Sequence, residues 1–289
     1  MSQYAFFLKK KIIARNTRIL FDKNSKNVHN GFELTNVFNI EYKISYFNTI
    51  LFSLFRILQI KKYKYISRPI IFMLNTIGIS LVEENYNYNF NIDFLKPSNK
   101  KIKFYYGGWH SEKYFISIKK EILKEFIFNI KNENPYFNSF QKKILELNSV
   151  SIHVRKGDYL EGVNSSTFGS VCTKEYFLKA IGKINSLVSN PYFFVFTNDQ
   201  KWVLENIANN NLIRNNLIIV NINSGVNSWK DMYLISKCKH HINSNSTFSW
   251  WGSWLNSFKD KIIITPKYFI NNNLFEDIYP ETWIKISDY

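Results

Sequence analysis

The sequence predicts an α/β protein whose carboxyl-terminal half is a parallel, doubly wound sheet. Three observations predict it. From residue 150 onward, short and near-continuous apolar runs alternate with segments of helical periodicity. Strands buried on both faces read this way, and parallel strands need such crossovers to join them. Several of those runs end in a polar or glycine-bearing cluster, as at Arg155-Lys156-Gly157, Thr197-Asn198-Asp199 and Ser244-Asn245-Ser246; ligands of open α/β sheets collect at such strand ends. Finally, 289 residues with 45% hydrophobic and 21% charged side chains suffice for a folded core, in one large domain or two ordinary ones.

In chain order, residues 3–14 place Tyr4, Phe7, Leu8 and Lys11 on neighbouring turns and read as a helix. Residues 18–22 fit a short buried strand, and a polar, turn-rich segment follows to residue 34. Apolar residues recur with helical spacing over 46–60, and 68–82 suits either helix or strand. Residues 101–106 form a strand ended by Gly107-Gly108. Ser111 then caps a long amphipathic helix to residue 128, with Tyr114, Phe115, Ile118, Ile122, Leu123 and Phe126 inward. Residues 132–138, with Pro135, read as a loop, and a helix over 140–147 leads into the next strand. The boundary is placed at 147, giving an amino-terminal domain of 1–147 and a second domain of 148–289.

The second half is more regular. Strands are expected over 150–155, 192–197, 217–221, 240–243 and 261–266. Helices are expected over 173–187, 200–209 and 229–238, with another opening at 246–254.

Formal net charge is +16, which favours nucleic acid, an acidic membrane surface or a phosphate-bearing substrate. The lysines form no dense cluster beyond Lys9–Lys11 and Lys61–Lys64, so a merely solvated surface fits equally. Cys172 and Cys238 have neither metal-ligand nor disulfide-framework spacing, which suits a reducing cytoplasm. No signal peptide or membrane-spanning stretch is read. A basic, aromatic-rich surface is compatible with peripheral contact on the inner face of an anionic cytoplasmic membrane.

Four clusters fall on one edge of the expected sheet: His153/Arg155/Lys156/Asp158; Thr197-Asn198-Asp199; Asp231; and the run from Ser244 to Trp251. In the last, Asn245, Ser246, Thr247, Phe248 and Ser249 open a helix after a strand. Backbone amides and hydroxyls there form a phosphate cradle, and Arg155 with Lys156 would neutralise a diphosphate. Taken singly, Asp199 and Ser246 read as ordinary N-caps, the charges as solvated, and Trp250, Trp251 and Trp254 as core. Their convergence on one edge points to a ligand. No Asp-x-Asp, Walker loop or Gly-x-Gly-x-x-Gly is present, so neither a metal site nor a dinucleotide fingerprint is read. His110 and the pair His240-His241 read as structural or surface residues.

These residues resemble glycosyltransferase family 11, the bacterial α-1,2-fucosyltransferases. The resemblance rests on residues 151–159 (the family's His-x-Arg-Arg-x-Asp motif), on 193–199, on 231–254 with its Asn-Ser-Thr-Phe-Ser-Trp-Trp run, on 263–266 and on 106–115. It implies a GT-B-like α/β fold of two Rossmann-like halves with a cleft between them. It also implies inverting, metal-independent transfer of fucose from GDP-fucose to O2 of a galactose. The acceptor would be a galactose-terminated oligosaccharide or lipid-linked glycan of O-antigen or capsule type; no nucleic acid partner is expected. By similarity, Arg155 would bind the β-phosphate and stabilise the departing GDP. His153, Lys156, Asp199 and Asp231 would belong to the donor site, His153 and Asp231 facing the guanine and ribose end. Ser246, Thr247 and Phe248 would line the diphosphate and base, with Asn245 and Ser249 also in the donor site. Asp158 is the candidate general base, or the group that orients Arg155.

Two departures from the family pattern stand out. Its second Arg is Lys156 here, which keeps charge and loses the bidentate fork. The chain opens Met1-Ser2-Gln3-Tyr4-Ala5, so the family's first strand and Gly-Gly-Leu-Gly-Asn-Gln loop are expected to be missing from the amino-terminal half. A relative that binds nucleotide or glycan without turnover is the alternative reading.

Overall fold

The computed structural model describes residues 1–20, 33–41, 50, 53, 55, 64–84, 88–131, 133–160, 162–271 and 273–287. It is a mixed α/β protein with parallel sheets, and its packing divides it into two compact units, residues 1–129 and 130–289. The sequence-based boundary at 147 lies one helix further along.

In the first unit, α1 (Ser2–Ile13) buries Tyr4, Ala5 and Phe6. A short α2 (Leu34–Phe38) follows, and α3 (Lys64–Thr76) leads through Gly78 into β1 (Ile79–Glu83). Gly78 has φ +88, a left-handed turn that favours glycine. β1 pairs in parallel with β2 (Ile102–Tyr106), Ile79 opposite Ile102. Aromatic rings hold this unit together: Phe6 stacks on Trp109 at 4.0 Å, and Tyr105 and Tyr114 pack edge-on against both. Trp109 itself sits at φ +53, strained for a residue with a side chain. The buried Glu84 pins it, accepting from the amides of Gly108 (2.8 Å) and Trp109 (2.7 Å).

Several sequence expectations are corrected here. Residues 18–20 are not strand, and 21–22 lie outside the described residues, as does most of 46–60. The segment 68–82 is helix and then strand. Ser111 caps a 3-10 turn rather than a long helix; two such turns, Glu112–Tyr114 and Ile116–Ile118, precede α4 (Lys119–Glu125). Phe115 and Tyr114 are fully buried there, and the tighter winding accompanies the packing of Tyr114 into the aromatic cluster. Pro135 starts a helix instead of marking a loop. α5 (Pro135–Glu146) has Pro at its first position and Asn134 as N-cap, its Oδ1 accepting from Phe137 N at 2.8 Å.

The second unit is the doubly wound sheet the sequence predicts. Its strands are β3 (Ser149–Val154), β4 (Tyr192–Thr197), β5 (Leu217–Val220), β6 (His240–Ile242), β7 (Ile263–Pro266) and β8 (Ile284–Ile286). All pairs are parallel, in the order β5-β4-β3-β6-β7-β8. β8 was not legible as a strand beforehand. Between strands run α6 (Lys174–Leu187), α7 (Gln200–Val203, continued by a π turn), α8 (Trp229–Lys237) and α9 (Thr247–Leu255).

Alternation along β3 separates two environments. Val150, Ile152 and Val154 join Tyr176, Phe177, Ala180, Ile181 and Ile184 of α6 in the main apolar core. Ser149, Ser151 and His153 point to the opposite face, where β6 supplies a second polar strand: Ser151 Oγ and His241 Nδ1 are hydrogen-bonded at 2.8 Å. Asn243, just past the end of β6, accepts from Ser253 Oγ of α9 at 2.8 Å. α9 packs tightly on α8 at Gly252, where an added Cβ would lie 2.6 Å from Ile235 Cγ2.

That approach sets a test. In Gly252→Ala, helix propensity improves by about 1 kcal/mol, while forcing a methyl onto a branched side chain costs about 1–3 kcal/mol. A net loss of stability is expected, read as a lower midpoint in thermal or urea unfolding.

Candidate active site

Strand order reverses between β3 and β6: the chain leaves β3 toward β4 and β5, and resumes on the other side with β6, β7 and β8. Crossovers departing in opposite directions open a crevice at the carboxyl ends of those two strands. The segments entering it are 155–160 from β3 and 243–249 from β6.

His153 joins the two. Its Nδ1 and Ser244 Oγ are 2.7 Å apart, and its ring lies nearly parallel to that of Phe248, 5.4 Å away. Burial, then the neighbouring Arg155 charge, pushes the imidazole pKa down to about 3. The ring is therefore neutral, a hydrogen-bonding strut rather than a cation.

Arg155, half-buried, lies with its guanidinium 5.6 Å above the ring of Tyr159. Tyr159 in turn stacks on Phe168 and donates its hydroxyl to the Asn245 carbonyl at 3.3 Å. The guanidinium of β3 and the hydroxyl row of β6 thus share one edge of the sheet, coupled through a tyrosine. Ser244 and Tyr159 lie in the stretches singled out from sequence, but neither is given a role there. The signals were there: Ser244 is the second residue past β6, and Tyr159 stands four after Arg155, one helical turn on.

The row beyond Ser244 divides by role. The Asn245 side chain is buried and donates to the carbonyls of Phe269 (3.0 Å) and Phe168 (3.3 Å), while its Oδ1 accepts from Cys172 Sγ at 3.4 Å. Its polar atoms are engaged within the protein. Ser249 is also buried, its hydroxyl donating to the Ser246 carbonyl at 3.3 Å. Ser246 is the N-cap of α9, its Oγ accepting from Phe248 N at 3.3 Å. Thr247, the first residue of α9, is exposed beside the amino-terminal amides of that helix.

Lys156 diverges from Arg155. It is buried, its backbone amide donates to Asn198 Oδ1 at 2.9 Å, and its ammonium lies over Trp202 and donates to Gly169 O at 3.3 Å. Its charge helps hold the loop that carries Phe168. Asp158 sits in the 3-10 turn Gly157–Leu160, and its side chain lies outside the described residues. Asp199 caps α7, accepting from Trp202 N at 2.9 Å. Asp231, in the first turn of α8, accepts from Asn223 Nδ2 at 2.6 Å. Burial pushes its carboxyl up to about 7, against the opposing pull of that amide. A carboxyl poised there exchanges protons at neutral pH, which marks a functional residue as readily as a structural one.

His240 and His241 are tied into the sheet. His240 Nδ1 accepts from Ile262 N at 3.1 Å. His241 is fully buried with its Nε2 unpartnered among the described residues, and desolvation holds its pKa well below the usual value. Cys172 and Cys238 are both buried, and neither is in a disulfide.

A family profile described as glycosyl transferase family 11 matches residues 15–287. The chain is 30% identical over 313 residues to the O-antigen biosynthesis glycosyltransferase WbnK of Escherichia coli, covering 99% of this chain and 96% of that protein. It is 36% identical over 183 residues to an alpha-1,2-colitosyltransferase of Escherichia coli, covering 62% of this chain and 61% of that one. A galactoside alpha-(1,2)-fucosyltransferase 2 of Rattus norvegicus is 29% identical over 150 residues, 49% of this chain and 40% of that one.

Buried neutral imidazoles have a consequence for acid stability. His153 and His241 both have folded pKa values below the unfolded value of about 6.5, so the unfolded chain binds more protons as pH falls. Their stabilising contribution is complete above that pH. It declines by about 1.4 kcal/mol per histidine for each pH unit below it, until the folded pKa is reached. Unfolding midpoints measured across that range should drop in acid, and His241→Gln should flatten the slope. A wild-type slope unchanged by that substitution would remove His241 from the account.

Proposed function

The chain belongs to glycosyltransferase family 11, and on that footing we propose that it transfers fucose from GDP-fucose to O2 of a galactose in a surface glycan. It is a glycosyltransferase; the donor, the acceptor and the residue roles that follow are the proposal. The observation that supports it is the link from Arg155 through the Tyr159 ring to the Asn245 carbonyl, at the strand ends where order reverses and just before α9. Fixed positive charge, helix amides and the Ser246 and Thr247 hydroxyls are the groups a nucleoside diphosphate requires.

In the proposed reaction the galactose O2 attacks the anomeric carbon as the bond to the β-phosphate oxygen breaks. Negative charge builds on the departing GDP, and Arg155 with the α9 amides stabilises it most where it is greatest, in the transition state. The Tyr159 ring holds the guanidinium in place beforehand, so little reorganisation is left for the reaction itself. Neutral His153 positions the Ser244 turn without adding a second cation that would hold GDP after transfer. Inversion requires the acceptor proton to leave on the opposite face, and Asp158 is the assigned base. The acceptor is assigned as a galactose-terminated oligosaccharide or lipid-linked glycan of O-antigen type, at the cytoplasmic face of the membrane; the full-length similarity to an O-antigen glycosyltransferase supports this.

Colitose is a second reading for the donor sugar, favoured by the 36% identity to a colitosyltransferase. Colitose is fucose without its 3-hydroxyl, so one hydrogen bond in the sugar pocket decides between them, and a pocket built to bond that hydroxyl rejects its absence strongly.

Arg155→Ala should lower kcat by about 10²–10³-fold, the scale of losing one main charge-stabilising group, with a smaller loss of GDP affinity. Single-turnover assays and GDP calorimetry on the same variant separate the two. Near-normal turnover would refute the role of Arg155. Running wild type with GDP-fucose and GDP-colitose in parallel names the donor by the larger kcat/KM.

A further inference from the structure

Helix α3 is apolar on two sides. One side, with Ile71 and Leu74 half-buried, leans on its own unit; the other carries Pro69, Phe72 and Met73 outward. A helix apolar all round is normally buried. Here Phe72 is 73% and Met73 57% exposed, and the patch continues through Ile77 (55%) to Ile102 (47%), whose amide donates to Gly78 O. Basic groups frame it. Arg68 is exposed on the helix, Lys100 donates to Asn75 O at its carboxyl end, and the exposed Lys101 lies against Gly78. Between Glu41 and Glu83 the sequence has no acidic residue.

We propose that this face of α3 docks on an anionic lipid bilayer, with Phe72 and Met73 entering the headgroup–acyl boundary and Arg68, Lys100 and Lys101 meeting lipid phosphates. Charge complementarity selects the lipid surface: the stretch of sequence that carries α3 has no carboxylate from 42 to 82, and the whole chain carries +16. Among the described residues no helix is long and apolar enough to cross a membrane, so the contact is interfacial. This inference stands apart from the sugar-transfer reading, since lipid binding requires no turnover.

The test is co-sedimentation of the full chain with phosphatidylcholine vesicles, with and without about 30% phosphatidylglycerol. Binding is expected only with the anionic lipid, falling as salt rises from about 0.1 to 1 M. Phe72→Ser/Met73→Ser should weaken it by about tenfold or more, whereas Leu187→Ser, an exposed apolar residue on α6, should not. Should the double variant fail to fold by circular dichroism, Arg68→Glu takes its place, and reduced anionic-vesicle binding is again expected. Equal binding to neutral vesicles, or wild-type binding by the folded variants, would overturn the proposal. So would a wild-type dimer in light scattering that the variants dissociate.

Discussion

The site depends on one pairing, that of β3 with β6. These strands are neighbours in space and separated in sequence by two strands, β4 and β5, and the crevice exists because the chain leaves them in opposite directions. Their register is set from inside by the Ser151–His241 bond and at the rim by His153–Ser244. A slip of one residue would turn Ser149, Ser151 and His153 into the apolar face held by Val150, Ile152 and Val154, stranding three polar groups at once. The cost of that error is what keeps the guanidinium of β3 beside the turn of β6.

Polar residues around the crevice are divided between holding and presenting. Lys156, Asn245, Ser249 and Asp199 make their bonds to the protein, and each of those bonds ties a loop or helix start to the sheet. Thr247, the first residue of α9, is exposed, and Arg155 is half-buried against the Tyr159 ring. Groups fixed in this way leave little reorganisation when a charged ligand arrives.

The second unit was legible because its signals agree with one another. Near-continuous apolar strands, N-caps at Asp199 and Ser246, and strand-end clusters all describe the same topology. The short β8 was missed because Ile284-Lys285-Ile286 carries almost no pattern by itself and is a strand only through pairing with β7. The first unit read less well. There Ser111 and a run of apolar residues mimic an amphipathic helix, but the chain winds into 3-10 turns with Tyr114 packed among aromatic rings, a tertiary contact that periodicity does not encode. Pro135 was misread for a local reason: the same residue that breaks a helix interior starts one when an Asn precedes it. Within the site, sequence found the segments and mixed their roles. Spacing shows that Asn245 and Lys156 stand at a strand end, whereas only the fold shows that both side chains turn inward.

The Asn245 side chain bonds to carbonyls from two distant places, Phe168 and Phe269. The first precedes α6 and the second follows β7, so one amide joins three stretches of chain that are far apart in sequence. The turn after β6 is thereby locked only when both of the other stretches are in place, and loosening any one of the three releases the other two.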